Sequence, residues 1–263
     1  DEYVTHLKQI WSSRVLTNNG PYNQCLENEL KEYLGLKNLC LVNNGTTALL
    51  VALKTLGITG SVLTTPYSYI ATSSCLLWNN LRPIFVDIEK SGFNLDPKLL
   101  ERSIEEDTSA ILAVHCYGIP CKIDEIQEFA FKHGLKVIYD AAHCFGVTYQ
   151  GESILTYGDA SIISFHATKT FNTVEGGAIV FNKEEASLLA KKQINFGIDD
   201  EESVSAVGIN GKLSELHAAF GLCVLPEMPA ALAARRVIAD LYHDGLSNVK
   251  GITLGLEHYE PTN

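Results

Sequence analysis

A lysine set among small and aromatic residues, Ser164-Phe165-His166-Ala167-Thr168-Lys169-Thr170-Phe171-Asn172, is the group in this chain with the most evident chemistry to offer. Desolvation and nearby cations lower a lysine's pKa, and the neutral amine is then a nucleophile; a lysine on a surface loop is the plainer alternative. Gly176-Gly177, just ahead of an apolar run, favours the first reading, because paired glycines let backbone approach a bulky ligand closely. Upstream, Tyr139-Asp140-Ala141-Ala142-His143 closes another apolar run with a carboxylate. A buried Asp140 without a partner would be expensive, so it should meet a cation such as a protonated ring nitrogen, unless it caps a helix or forms a salt bridge. His143 either points into the same crevice or is satisfied within the core. A third group, Asn43-Asn44-Gly45-Thr46-Thr47-Ala48, is a small-residue turn opening a helix. Such a turn aims free N–H groups at an anion, helped by the helix dipole, or else Asn44-Gly45 is a bare turn with Thr46 as N-cap.

These groups need elements that hold them at one edge, and the sequence supplies them. From Leu39 to Phe181 short apolar runs alternate with helical stretches, which predicts a mainly parallel seven-stranded sheet between helices, an α/β fold. The expected strands are Cys40 to Val42, Ser61 to Thr64, Arg82 to Val86, Ala110 to Val114, Lys136 to Asp140, Ala160 to Ser164 and Gly177 to Phe181. Helices are expected over Thr46 to Leu56 and Ile123 to His133, the latter stopped by Gly134. Parallel strands gather ligand sites at their carboxyl ends, and each group above follows such an end. Beyond Phe181 the pattern turns helical, over Lys183 to Ile194, Leu213 to Val224 and Pro229 to Leu246, with a mobile acidic loop expected at Asp199 to Ser205. Residues 1–225 are expected to form a large domain and residues 226–263 to begin a smaller one, through Gly251 to Leu256.

The 263 residues are 46% hydrophobic and 19% charged, as in an ordinary soluble globular chain. A formal net charge of −11 disfavours nucleic acid or an anionic membrane as partner, so an anionic ligand needs a local site. No apolar run approaches the roughly 20 residues that span a bilayer, and the polar, acidic start is unlike a signal sequence, which reads as cytoplasmic. Seven cysteines, Cys25, Cys40, Cys75, Cys116, Cys121, Cys144 and Cys223, lie scattered in apolar stretches, as reduced and mostly buried thiols do. A zinc site from His115, Cys116, Cys121, His143 and Cys144 is the less favoured alternative, and no metal is expected.

An anion turn, an aspartate after a strand and a lysine after the next strand stand in the order that a fold-type I enzyme of pyridoxal 5'-phosphate (PLP) needs. Over its whole length the chain resembles the DegT/DnrJ/EryC1/StrS aminotransferases, in LTNNGP, NNGTTALLVAL, TTPYSYIATSS, VHCYGIP, DAAHCFG, SFHATKTFNTVEGGAIV and GINGKLSELHAAFGL. The resemblance implies that Lys169 is the Schiff-base lysine and that Asp140 pairs with the pyridine nitrogen. It implies a phosphate site at Gly45, Thr46 and Ser164, and Tyr69 stacked on the ring, a role suited to a flat apolar face. Asn210 is similar to the asparagine that crosses a homodimer interface to the partner's phosphate. His143 stands where many members carry glutamine beside the cofactor's 3-hydroxyl, and the chain is shorter than members of the family usually are, so that most of the C-terminal domain is expected to be absent.

The implied substrates are L-glutamate and a nucleotide-linked keto sugar. SFHATKTFNTVEGGA is similar to the branch that aminates C4 of a dTDP-4-keto-6-deoxyhexose, whereas members acting at C3 tend to carry Tyr-Pro where this chain has His166-Ala167. Amination at another position or of another nucleotide sugar, a PLP-dependent sugar dehydratase, and a non-catalytic relative are the alternatives. Dehydratases typically carry histidine at the lysine position, so Lys169 argues against the second.

Overall fold

The runs of Val, Ile, Leu and Ala between Leu39 and Phe181 are apolar on both faces, and a strand of that kind must be covered from both sides. A computed structural model describes residues 1–90, 92–199 and 203–254 and shows how this is done. The strands in chain order are β1 (Leu39–Val42), β2 (Ser61–Thr64), β3 (Arg82–Phe85), β4 (Thr108–Val114), β5 (Lys136–Asp140), β6 (Thr148–Tyr149), β7 (Glu152–Ser153), β8 (Ala160–Ser164) and β9 (Gly177–Phe181). The helices are α1 (Glu2–Ser13), α2 (Pro21–Leu34), α3 (Gly45–Thr55), α4 (Ile70–Trp78), α5 (Leu100–Ser103), α6 (Ile123–His133), α7 (Glu184–Gln193), α8 (Glu215–Val224) and α9 (Met228–Leu246). Seven strands form one sheet in the order β1-β9-β8-β5-β4-β2-β3, while β6 and β7 make a separate hairpin. β9 alone runs against its neighbours, antiparallel to β1 and β8; the other pairings are parallel.

Side chains alternate across the sheet, which divides the core in two. Along β4, Ile111 and Ala113 join Leu26 and Leu30 of α2, Ile123 and Ile126 of α6 and Ala218 of α8. Ala110 and Leu112 face the other way, to Ala48 and Leu49 of α3, Leu76 of α4 and Ala190 of α7. The result is a helix–sheet–helix sandwich of fold-type I, and the seven expected strands and five expected helices are present, β2, β5, β8, β9 and α6 with the expected bounds.

Four helices go beyond the expectation, the four-residue α5 and the longer α1, α2 and α4. α2 carries ordinary signals, Pro21 in its first turn, a stripe of Leu26, Leu30 and Leu34, and Gly35 as a left-handed stop (φ 66°). α1 is mostly exposed, and α4 has apolar residues all round, with Ile70, Leu77 and Trp78 exposed, so its period was hidden. Two further expectations change. The helical stretch Glu215–Leu246 is, by length and composition alone, long and apolar enough to cross a bilayer; its first half packs into the core through Ala218, Ala219, Leu225 and Met228. The acidic loop is tied at its stem, where Ile198 bridges Val204 and Asp199 N–H donates to Ser203 O (3.0 Å), while residues 200–202 and the last two residues of Gly251 to Leu256 lie outside the described residues.

Candidate active site

Six parallel strands put their carboxyl ends at one edge of the sheet, and β9, running the other way, begins there. The edge holds a cavity of about 690 Å³ whose lining includes Asn44, Gly45, Thr46, Tyr69, Asp140, His143, Ser164, His166, Lys169 and Glu175. The groups singled out from the sequence thus share one space, except Asn210.

Asp140 ends β5 with only 6% of its surface exposed. Its Oδ2 accepts from Thr72 Oγ1 at 2.8 Å and its Oδ1 from the Ala142 N–H at 3.2 Å. Burial pushes its carboxyl above the usual carboxylate range, opposed by those two hydrogen bonds and by His143 and Lys169. Among the described residues no cation pairs with it directly, so this buried carboxylate is built for a positive partner that a ligand must bring. The salt-bridge and helix-cap alternatives do not apply. Thr72 was not legible from sequence, since its alignment with Asp140 arises only when α4 crosses the edge.

Where β1 ends, Asn44 is the N-cap of α3 and its Oδ1 accepts from the Thr47 N–H at 2.8 Å. Ala48 N–H already bonds Asn44 O, so the free donors of the first turn are the N–H groups of Gly45 and Thr46 among the described residues. Thr46 is therefore a donor inside the helix and not its cap. Gly45 lies against β8: a Cβ there would stand 3.0 Å from Ser164 Cβ, which sets the Ser164 hydroxyl beside the turn. Two unpaired N–H groups at a helix N-terminus and a hydroxyl make an anion cradle.

Lys169 follows β8 and is half-buried; burial lowers its amine's pKa, with Asp140 opposing. Its amine has no hydrogen-bond or ion-pair partner among the described residues. His166 at the rim meets Thr168 Oγ1 through Nδ1 (3.0 Å) and stands 3.7 Å from Glu175 Oε1 through Nε2. Tyr69, 77% exposed, caps α4 and offers an uncovered ring to the cavity. His143 is exposed at the cavity wall, and desolvation first and Lys169 second lower its pKa, Asp140 opposing.

One expectation is revised by the geometry. Gly176 and Gly177 serve the protein's own packing: a Cβ at Gly177 would stand 2.9 Å from Asn44 C and 3.0 Å from Gly45 N, and one at Gly176 would strike Thr173 Oγ1. The pair lets β9 pass under the anion turn and so supports a ligand without touching one. Asn210 is exposed outside the cavity lining, its carbonyl accepting from Asn43 Nδ2 at 3.4 Å. The histidines and cysteines of the zinc alternative have other bonds: His115 Nδ1 accepts from Cys121 N–H (3.0 Å) and Cys121 Sγ donates to Val114 O (3.2 Å). His115 is fully buried and held neutral, its pKa driven down to about 3 by burial. Five of the seven cysteines are buried; Cys223 is half-exposed and Cys25 exposed.

A cradle for an anion, a buried carboxylate awaiting a cation, an unpaired amine and an open aromatic face fit the phosphate, ring nitrogen, aldehyde and flat ring of PLP. The family model for the DegT/DnrJ/EryC1/StrS aminotransferase family matches residues 1–262. A dTDP-4-amino-4,6-dideoxy-D-glucose transaminase of Escherichia coli is 47% identical over 254 residues, 96% of this chain and 68% of that one. One of the same description from Shigella dysenteriae is 46% identical over 254 residues, 97% of this chain and 69% of that one. The crystal structure of DesI in the presence of its TDP-sugar product superposes with a TM-score of 0.91 at 32% identity, over 96% of this chain and 64% of that one. The chain spans about two thirds of the length of these relatives.

Proposed function

The chain belongs to the DegT/DnrJ/EryC1/StrS aminotransferase family, and on that premise we propose that it moves an amino group from L-glutamate to C4 of dTDP-4-keto-6-deoxyglucose, using PLP, as a cytoplasmic homodimer. The observation that carries the reading is the convergence of Lys169, Asp140 and the two-donor turn on one cavity. The transaminases that are 47% and 46% identical support the choice of sugar and position. So does His166-Ala167, where relatives acting at C3 tend to carry Tyr-Pro.

PLP, when bound, supplies an electron-withdrawing ring that stabilises charge on a substrate carbon. The chain supplies the rest. Gly45 and Thr46 N–H groups and the Ser164 hydroxyl hold the phosphate, and Tyr69 covers the ring. Asp140 keeps a proton on the ring nitrogen; burial, which makes its isolated charge costly, makes its pairing there strong. The lowered pKa of Lys169 enlarges the share of neutral amine, which would hold the cofactor through its aldehyde and would serve as the base that moves the proton at the donor's α carbon. Asn210, exposed beyond its own cavity, is assigned to the partner's phosphate. Residues 1–225 form the cofactor-binding domain and residues 226–263 begin a smaller one; the exposed Val237, Ile238, Leu241 and Tyr242 of α9 are in keeping with further chain packing there.

Lys169→Ala tests the assignment. The variant is expected to lose the visible absorbance of lysine-bound PLP and all glutamate-dependent amination of dTDP-4-keto-6-deoxyglucose, while retaining phosphate-anchored PLP binding. Full transaminase activity in that variant would overturn the role of Lys169.

A further inference from the structure

His143 takes its place in the cavity from a turn within the segment VHCYGIP. The turn is Cys116–Gly118, after β4, and Tyr117 within it has a left-handed backbone (φ 56°, ψ 19°), which side chains with a Cβ adopt only at a cost. In that conformation the Tyr117 N–H donates to His143 Nδ1 at 3.2 Å. The Tyr117 ring lies parallel to the imidazole, 6.2 Å between centroids and 4° between planes. Gly118, also left-handed (φ 83°), brings the turn against the His143 backbone, where a Cβ would stand 3.1 Å from His143 O.

The turn is itself braced. Asn94, fully buried, accepts from the Cys116 N–H (2.9 Å) and donates to the carbonyls of Ile119 and Pro120 (3.0 Å each). The Tyr117 ring meets Phe93 edge-on at 5.4 Å, and its hydroxyl pairs with Tyr67 Oη at 2.9 Å. Imidazole in its neutral form carries one proton, so an Nδ1 that accepts leaves that proton on Nε2. Among the described residues Nε2 has no protein partner. Protonating Nδ1 as well would set two donors face to face.

We infer that Tyr117 is a positioning residue: its backbone N–H and its ring hold His143 as the neutral Nε2–H tautomer, a fixed hydrogen-bond donor in the cavity. A donor at this place is what an amide would provide, so the lock lets a titratable ring serve as a non-titrating one. The charged groups around it act in balance, with desolvation and Lys169 favouring the neutral ring and Asp140 opposing. The neighbouring thiols Cys116, pushed to about 11, and Cys144, pushed higher still, remain neutral. The tautomer follows from the protein alone; its use toward PLP rests on the function proposed above.

Nitrogen NMR of the His143 imidazole in the cofactor-free protein tests the lock without the cofactor. The native chain should show the neutral Nε2–H form with a pKa below that of a free imidazole. Tyr117→Gly and Tyr117→Asn keep the left-handed backbone and its N–H but lose the ring that steadies the imidazole against that donor, and should raise that pKa and mix the tautomers, whereas Tyr117→Phe should resemble the native chain. An unchanged tautomer and pKa in both ring-deleted variants would overturn the inference. In the PLP-loaded protein, Tyr117→Gly should shift the pH dependence of the bound cofactor's absorbance, and the shift should vanish in a His143→Gln background. An equal shift in both backgrounds would show that Tyr117 does not act through His143. Failure of the native chain to bind PLP would instead overturn the cofactor reading, and with it the use of the lock, while the NMR still reports the tautomer.

Discussion

Asp140 is the residue whose replacement separates folding from catalysis. An asparagine keeps an oxygen for Thr72 Oγ1 and relieves the cost of burying a charge, but it cannot hold a proton on the ring nitrogen. Asp140→Asn is therefore expected to fold and to bind PLP while slowing the half-reaction with glutamate at least about tenfold, roughly 1.4 kcal/mol or more of barrier. Single-turnover rates within about threefold of the native value would contradict this. At the residue scale the sequence was informative where a side chain ends a strand, because the strand end itself places the group; Lys169, Asp140, Gly45 and Ser164 were legible for that reason. Thr72 and Tyr117 were not. One depends on a helix crossing from another part of the chain, the other on a backbone angle that no pattern of residue types announces in a non-glycine residue.

Among the elements, β9 bears most directly on the site, because its first residues lie under the anion turn. Gly177 has Ile163 O and Asn44 C both 2.9 Å from where a Cβ would sit, all backbone atoms that a rotamer change cannot move aside. Gly177→Ala is expected to weaken PLP binding by shifting the Gly45 and Thr46 donors, and to lower the melting temperature. Unaltered PLP affinity, measured by titration of the apoprotein, would show that the turn is indifferent to the strand beneath it. The strands were legible because both faces are apolar and their lengths are short, and α6 because a 3.6-residue stripe ends in Gly134. The direction of β9 was not, since nothing within Gly177–Phe181 distinguishes a strand that joins parallel from one inserted antiparallel.

For the whole molecule the proposed homodimer makes a prediction that single chains cannot satisfy. Lys169→Ala chains and Asn210→Ala chains, each impaired alone, should regain activity when mixed and allowed to exchange, since a hybrid dimer has one site carrying both defects and one carrying neither. No recovery after demonstrated exchange would count against sites completed across the interface. The order of the sheet has a further consequence. β1 pairs with β9, Leu39 opposite Val180, so the strand made first waits for the strand made last. As the chain leaves the ribosome, β2, β4, β5 and β8 can assemble before β1 has an edge to join, and long-range closure of this kind is slow. The anion turn hangs from the end of β1, so the cradle for the phosphate comes into being only when the sheet closes, and a ligand caught there acts as a latch on the final step of folding.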